Sequence, residues 1–151
     1  MKSAIVLLLV VACLAPGINS RACCSDGWIA YKDHCYHIGY GTRLTFSAAR
    51  VYCQSLGAYL VRLDTFDENT FLKGFLKKLM LESTWIGLTD RTHDGIWRWF
   101  DTMSHATCSD WGPGEPNSHG NEDCVNFFVD NDYNWNDSTC HSKYTPLCEK
   151  V

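Results

Sequence analysis

A disulfide-stapled α+β domain is predicted from three features of this 151-residue sequence. Helical periodicity is confined to residues 45–79. Beyond Ser83 only short strand-like apolar segments occur, separated by Gly, Asn, Asp, Ser and Pro. Eight of the nine cysteines remain once an N-terminal export segment is set aside, and an even count in an exported chain reads as disulfides. Helices early and strands late argue for segregated elements rather than an alternating parallel fold. The length admits one domain or at most two very small ones, and an apolar share of 46% excludes disorder.

At the N-terminus, Lys2 precedes an apolar run from Ala4 to Ala15, followed by Pro16, Gly17 and Asn19-Ser20. A basic start, a short apolar stretch and a small residue at the end describe a secretory signal peptide over residues 1–20. The run is too short for a bilayer, which needs about 20 apolar residues. No later segment comes closer, so a secreted, extracellular domain over 21–151 without membrane insertion is expected. Cleavage removes Cys13 and leaves Cys23, Cys24, Cys35, Cys53, Cys108, Cys124, Cys140 and Cys148. The close pair Cys23-Cys24 has no zinc-type spacing.

Cys24 to Tyr40, rich in Gly, Tyr and Trp, reads as short strands or loops. Thr45 caps a helix with Phe46, Ala49, Cys53 and Leu56 inward and Gly57 as its stop. Ala58 to Leu63 reads as a strand. Thr65 and Glu68 form a capping-box pair for a second helix, whose stripe is Phe71, Leu72, Phe75, Leu76 and Leu79. Trp85–Leu88, Ile96–Phe100, Cys124–Val129 and Pro146–Glu149 read as strands. The long stretch from Met103 to Asp123 contains Trp111, Pro113 and Pro116 and reads as an ordered, functional loop.

The net charge of -4 disfavours nucleic acid as a partner. It also averages over an asymmetry. Between Trp99 and Ser142 there is no Lys or Arg, yet there are Asp101, Asp110, Glu115, Glu122, Asp123, Asp130, Asp132 and Asp137. Six asparagines accompany them: Asn117, Asn121, Asn126, Asn131, Asn134 and Asn136. Carboxylates mixed with carboxamides suit a hard divalent ion, because calcium takes 6–8 oxygen ligands and Asn supplies a neutral oxygen without added repulsion. The EF-hand loop is absent. A solvated acidic loop held by turns has the same composition. Nucleophile-elbow, zinc-protease and papain-type patterns are absent, and Glu115 with Glu122 is a poor glycosidase pair on so small a scaffold, so no enzyme is expected.

At these residues the chain resembles the C-type lectin-like domain of secreted animal lectins. The resemblance runs from Cys24 to Glu149. It is carried by Cys24-Ser-Asp-Gly-Trp28, Cys35-Tyr36, Phe46-x-x-Ala49-x-x-x-Cys53, Trp85-Ile-Gly-Leu88, Glu115-Pro-Asn117, Trp135-Asn-Asp137 and Cys148-Glu149, in that order. It implies the long-form lectin-like fold, two helices on small antiparallel sheets with a long calcium-binding loop region. It also implies disulfides Cys24–Cys35, Cys53–Cys148 and Cys124–Cys140. Cys23 and Cys108 match no family position; they could pair with each other, and at least one interchain bond in a disulfide-linked homo-oligomer is favoured.

The resemblance implies Ca²⁺ held by Glu115, Asn117, Glu122, Asn136 and Asp137, with Asp137 giving both its carboxylate and its carbonyl. Pro116 matches a family cis-proline. Two neighbouring sugar hydroxyls bind the ion, accept from Asn amides and donate to carboxylates, with Glu115, Asn117, Glu122 and Asn136 as sugar-binding groups. Glu-Pro-Asn resembles binders of mannose, glucose, N-acetylglucosamine and fucose, so mannose-type glycans, free or on microbes, are the expected partners. One such site binds near millimolar, about -4 kcal/mol, and gains from multivalency. An auxiliary calcium site would use Asp90, Asp94, Glu122 and Asp123. Ser118 stands where the family places Asp, and the loop to Glu122 is one residue shorter, which weakens that site.

Asn136-Asp137-Ser138 is also a glycosylation sequon; the ligand reading of Asn136 is favoured. Trp28, Trp85, Trp97 and Trp99 are expected in the core, Trp135 beneath the loop, and Trp111 as a possible sugar platform. Lectin-like domains that bind protein, ice or mineral are the alternative reading, because a fold does not fix its function.

Overall fold

A computed structural model describes residues 24–119 and 121–151. The proposed signal peptide and Cys23 lie outside them. The elements run β1 (Ile29–Tyr31), β2 (His34–Ile38), α1 (Phe46–Ser55), β3 (Tyr59–Leu60), α2 (Phe66–Lys78), β4 (Thr84–Thr89), β5 (Arg98–Trp99), β6 (Cys124–Phe128), β7 (Asn134–Ser138) and β8 (Thr145–Lys150).

Both helices start as expected. Thr45 Oγ1 accepts the Ala48 N–H and Thr65 Oγ1 accepts the Glu68 N–H, each satisfying a donor that the first turn leaves orphaned. The second cap is not a reciprocal box, because Glu68 turns away. Its Oε2 accepts the Asp64 N–H at 3.0 Å and its Oε1 accepts the Tyr36 hydroxyl at 2.5 Å. Leu56 and Leu79, expected inward, are 36% and 49% exposed, since each is a C-cap where the chain leaves its helix.

One path of strands, β1-β2-β8-β4-β6-β7, carries the fold, with β3 added to β8 and β5 to β4. All pairings are antiparallel except β4 with β8. The last strand thus lies in the middle, between the N-terminal hairpin and the loop-bearing half. Ala58 to Leu63 is shorter as a strand than expected, because Arg62 N–H is diverted to the Glu149 side chain. Val61 still donates to the Leu147 carbonyl and accepts from Gly87 N–H. Gly87 is required there, since a Cβ would meet the Leu60 carbonyl oxygen at 2.7 Å.

The unforeseen element is β7, Asn134–Ser138, whose polar composition reads as loop. It pairs with β6 along its whole length, and Trp135 within it is fully buried. The main core gathers Trp99, Trp135, Leu72, Leu76, Ile86, Leu88 and Phe127, and a second cluster packs Phe46 edge-on against Trp85. Trp28 and Trp97 are only half-buried.

Cys24–Cys35, Cys53–Cys148 and Cys124–Cys140 are bonded. They close the N-terminal hairpin, join α1 to β8, and fasten the end of β7 to β6. Cys108 is a free thiol, half-buried, and donates to the Leu63 carbonyl. Burial, and then the charges of Glu68, Asp64 and Asp110, raise its pKa. Such a thiol is a poor nucleophile for exchange into an interchain bond.

Candidate functional site

The eight acids of the cation-free segment fall into two groups. Three are paired with cations from the first half of the chain: Asp101 with Arg62 at 2.8 Å, Asp110 with Lys73 at 2.5 Å and Asp132 with Lys77 at 2.6 Å. Among the described residues, Glu115, Glu122, Asp123, Asp130 and Asp137 have no such partner. Asp130 is exposed on a single turn, and the other four lie around one loop.

That loop is drawn together by Asp137. Its Oδ1 accepts the Asn117 N–H at 3.0 Å and its Oδ2 the Ser118 N–H at 2.7 Å. The Glu115-Pro116 bond is cis. Asn117 Nδ2 donates to Glu115 Oε2 at 2.7 Å, so the amide and carboxylate flanking the proline sit side by side. The His119 N–H donates to Asn117 Oδ1 and to Glu122 Oε2, at 3.0 and 3.2 Å. Asn136 Nδ2 donates to the Asp137 carbonyl at 2.6 Å and to Ser138 Oγ at 3.0 Å. Glu115, Asn117, Glu122, Asn136 and Asp137 therefore belong to one connected neighbourhood.

Its electrostatics are strained. Burial, and then the Asp137 carboxylate, raise the pKa of Glu115; the same two causes in the same order raise that of Glu122. Like charges gathered without a cation disfavour their own ionised forms.

Behind the loop, α2 supports β7. Asn69 Oδ1 accepts the Trp135 indole N–H at 2.8 Å, and Asn69 Nδ2 donates to Asp110 Oδ2 at 2.8 Å. Lys73 reaches both Asp110 and Asn134. Trp135 N–H donates to the Asp110 carbonyl, and Gly112 N–H donates to the Trp135 carbonyl. Trp111 is not a free platform: it packs edge-on against Trp97 and Trp135, with ring centroids 5.0 and 5.8 Å away. The sequon is also poorly presented, since Ser138 is buried and accepts from Asn126 and Asn136.

The second predicted cluster is partly assembled. Asp90 is 2% exposed; its Oδ2 accepts the Gly95 N–H at 2.8 Å, while Oδ1 has no partner. Burial first, then the charges of Asp123 and Asp94, raise its pKa. Glu122 faces His119 instead.

One cluster was missed. His34, Glu68 and Glu149 bring their ligand-capable atoms within 4.8 Å of one another, a closeness that Glu115, Glu122 and Asp137 do not reach. Glu149 is fully buried, with Oε1 2.5 Å from His34 Nδ1 and Oε2 accepting the Arg62 N–H. The trio ties β2, α2 and β8 together. No local signal marks it, because its members lie more than 30 residues apart in the chain.

A family model described as the Lectin C-type domain matches residues 42–150. A perlucin-like protein of Mytilus galloprovincialis is 34% identical over 132 residues, covering 86% of this chain and 81% of that protein. Asialoglycoprotein receptor 1 of Rattus norvegicus is 33% identical over 92% of this chain, which spans only 49% of the receptor. Among solved structures, the mouse scavenger receptor C-type lectin carbohydrate-recognition domain superposes with a TM-score of 0.76 at 29% identity, covering 84% of this chain and 97% of that domain. The cow CD23 C-type carbohydrate-recognition domain, solved in the presence of a GlcNAc2Man3 oligosaccharide, gives 0.75 at 32% identity, covering 85% and 95%.

Proposed function

Because the chain belongs to the C-type lectin domain family, and is on that ground a carbohydrate-binding lectin rather than an enzyme, we propose that it binds mannose-type sugars in a calcium-dependent manner. The proposed calcium ligands are Glu115, Asn117, Glu122, Asn136 and Asp137. One observation carries the reading. Asp101, Asp110 and Asp132 are neutralised by Arg62, Lys73 and Lys77, whereas Glu115, Glu122 and Asp137 have no cationic partner among the described residues. Burial first, and then the neighbouring Asp137 carboxylate, raise the pKa values of Glu115 and Glu122, and a cation bound there would favour their ionised forms.

The donor set fits the ion. Carboxylate and carboxamide oxygens are what calcium takes, and no thiol or free imidazole competes within the set. Bound calcium would supply an anchor for two neighbouring hydroxyls. The chain's own residues do the sorting. Asn117 and Asn136 offer N–H donors, and Glu115 and Glu122 offer acceptors for hydroxyl protons, so a diol of other geometry leaves donor facing donor. The Asp137 carboxylate, which accepts the Asn117 and Ser118 N–H groups, supports this reading. Asp90, Asp94, Glu122 and Asp123 are proposed as a weaker auxiliary calcium site under the same reading. The domain is proposed to be exported after loss of residues 1–20, and to gain avidity by linking copies through Cys23.

The test is a mannan column loaded in calcium. Elution by EDTA and by free mannose is expected; equal or stronger elution by galactose overturns the specificity. Retention on protein or mineral but not on mannan overturns the sugar reading.

A further inference from the structure

We propose that the cleft between α1, β3 and Phe100 is a second binding site, which receives a sulfate or carboxylate group carried on a glycan. The cleft has a volume of about 240 Å³ and is lined by Arg50, Gln54, Tyr59, Phe100 and Asp101 among others. That is small for a whole ligand pocket, which typically holds roughly 300–1,000 Å³, but it admits one charged substituent and the ring edge that bears it.

Arg50 is the central feature. Its guanidinium carbon lies 3.3 Å from the centre of the Phe100 ring. Stacking holds the planar group and leaves its N–H edges open, the geometry by which arginine grips an oxyanion with two parallel bonds. Among the described residues no carboxylate pairs with it. Asp101, in the same cleft, is held by Arg62 at 2.8 Å, and Glu149 is held by the Arg62 backbone and His34. Arg91, exposed at the end of β4, adds a second unpaired guanidinium near enough to be felt. Burial first, and then the charge of Arg91, lower the Arg50 pKa. Arg91 does not line the cleft itself, but its charge adds to that of Arg50 in a positive potential that favours an anion beside Arg50. Gln54 and the ring edges of Tyr59 and Phe100 supply an amide and apolar surface beside the charge, which suits a sugar better than a bare ion.

This site does not depend on the calcium reading, and EDTA separates the two. The full chain is titrated calorimetrically in EDTA with a sulfated hexasaccharide, its desulfated counterpart and sodium sulfate. Saturable binding of the sulfated sugar, none of the desulfated one, and at least tenfold weaker binding of inorganic sulfate are expected. Arg50→Gln is expected to weaken binding about tenfold and Arg91→Gln about threefold. Because Arg91 is exposed, its variant keeps the test valid should Arg50→Gln fail to fold. No binding by the unaltered chain, or binding that both variants retain, overturns the site; sulfate binding as tight as the oligosaccharide overturns the glycan assignment.

Discussion

The carboxylate of Asp137 accepts the backbone N–H of Asn117 at 3.0 Å, joining β7 to the loop twenty residues earlier. With the Ser118 N–H on its second oxygen, this buried side chain sets where the Glu115-Pro116-Asn117 segment sits. Asp137→Ala is therefore expected to cost about 2–3 kcal/mol of stability, the scale of the charge-assisted bonds that this buried carboxylate accepts. Sugar binding should fall beyond detection. Urea unfolding beside mannan binding checks both, and a variant that still binds would remove Asp137 from the site.

Glu122 gives a pH-dependent test with a defined sign. Its folded pKa lies above the ordinary carboxylate value of 4.5. The stability this group contributes is therefore present below that value and is lost as pH rises through the folded pKa. In EDTA at pH 7, Glu122→Gln should be more stable than the unaltered chain, and the gap should close as pH falls to about 4.5. In calcium the order should reverse. Melting temperatures in the two buffers decide it; the same order in both would argue against a ligand role.

Asn69 is predicted to matter although it touches no proposed ligand. Asn69→Ala leaves the buried Trp135 indole N–H unpaired and frees Asp110 from one partner. A loss of about 1–3 kcal/mol is expected from the unsatisfied donor, together with weaker calcium binding as β7 loses its support. An unchanged calcium titration would confine Asn69 to the core.

Cys53–Cys148 closes 95 residues of chain. Replacing both with Ala should cost roughly 4–5 kcal/mol in the chain-entropy account. Removing Cys24–Cys35, with a separation of 11, should cost less. Denaturant midpoints of the two double variants test the order.

Glu149→Ala should cost about 2–4 kcal/mol, because it strips the Arg62 N–H and His34 of their acceptor while leaving Glu68 buried nearby. Thermal unfolding at pH 7 measures it, and a change below 1 kcal/mol would mean that the trio does not clasp the fold.

Local chemistry was legible from the residues alone. Thr45 and Thr65 as caps, the inward faces of both helices short of Leu56 and Leu79, Gly57 as a stop and the apolar strands β4, β6 and β8 follow from propensity and periodicity, which act over a few residues. The three disulfides and the cis bond at Pro116 followed from resemblance, and the structure contains them. The strand β7 was not legible, because Asn134, Asn136 and Asp137 are of types depleted from strands and outweigh Trp135, so that pairing with β6 decides the conformation.

What the sequence by itself determined is the kind of chain this is, its order of elements and the place of its acidic, asparagine-rich loop. What only the tertiary structure decided is which of those acids remain without a countercharge. Arg62, Lys73 and Lys77 lie 37 to 55 residues from the carboxylates they neutralise, and His34 lies 115 residues from Glu149. Charge acts through distance in space, and no pattern along the chain encodes which cation α2 will carry to which loop.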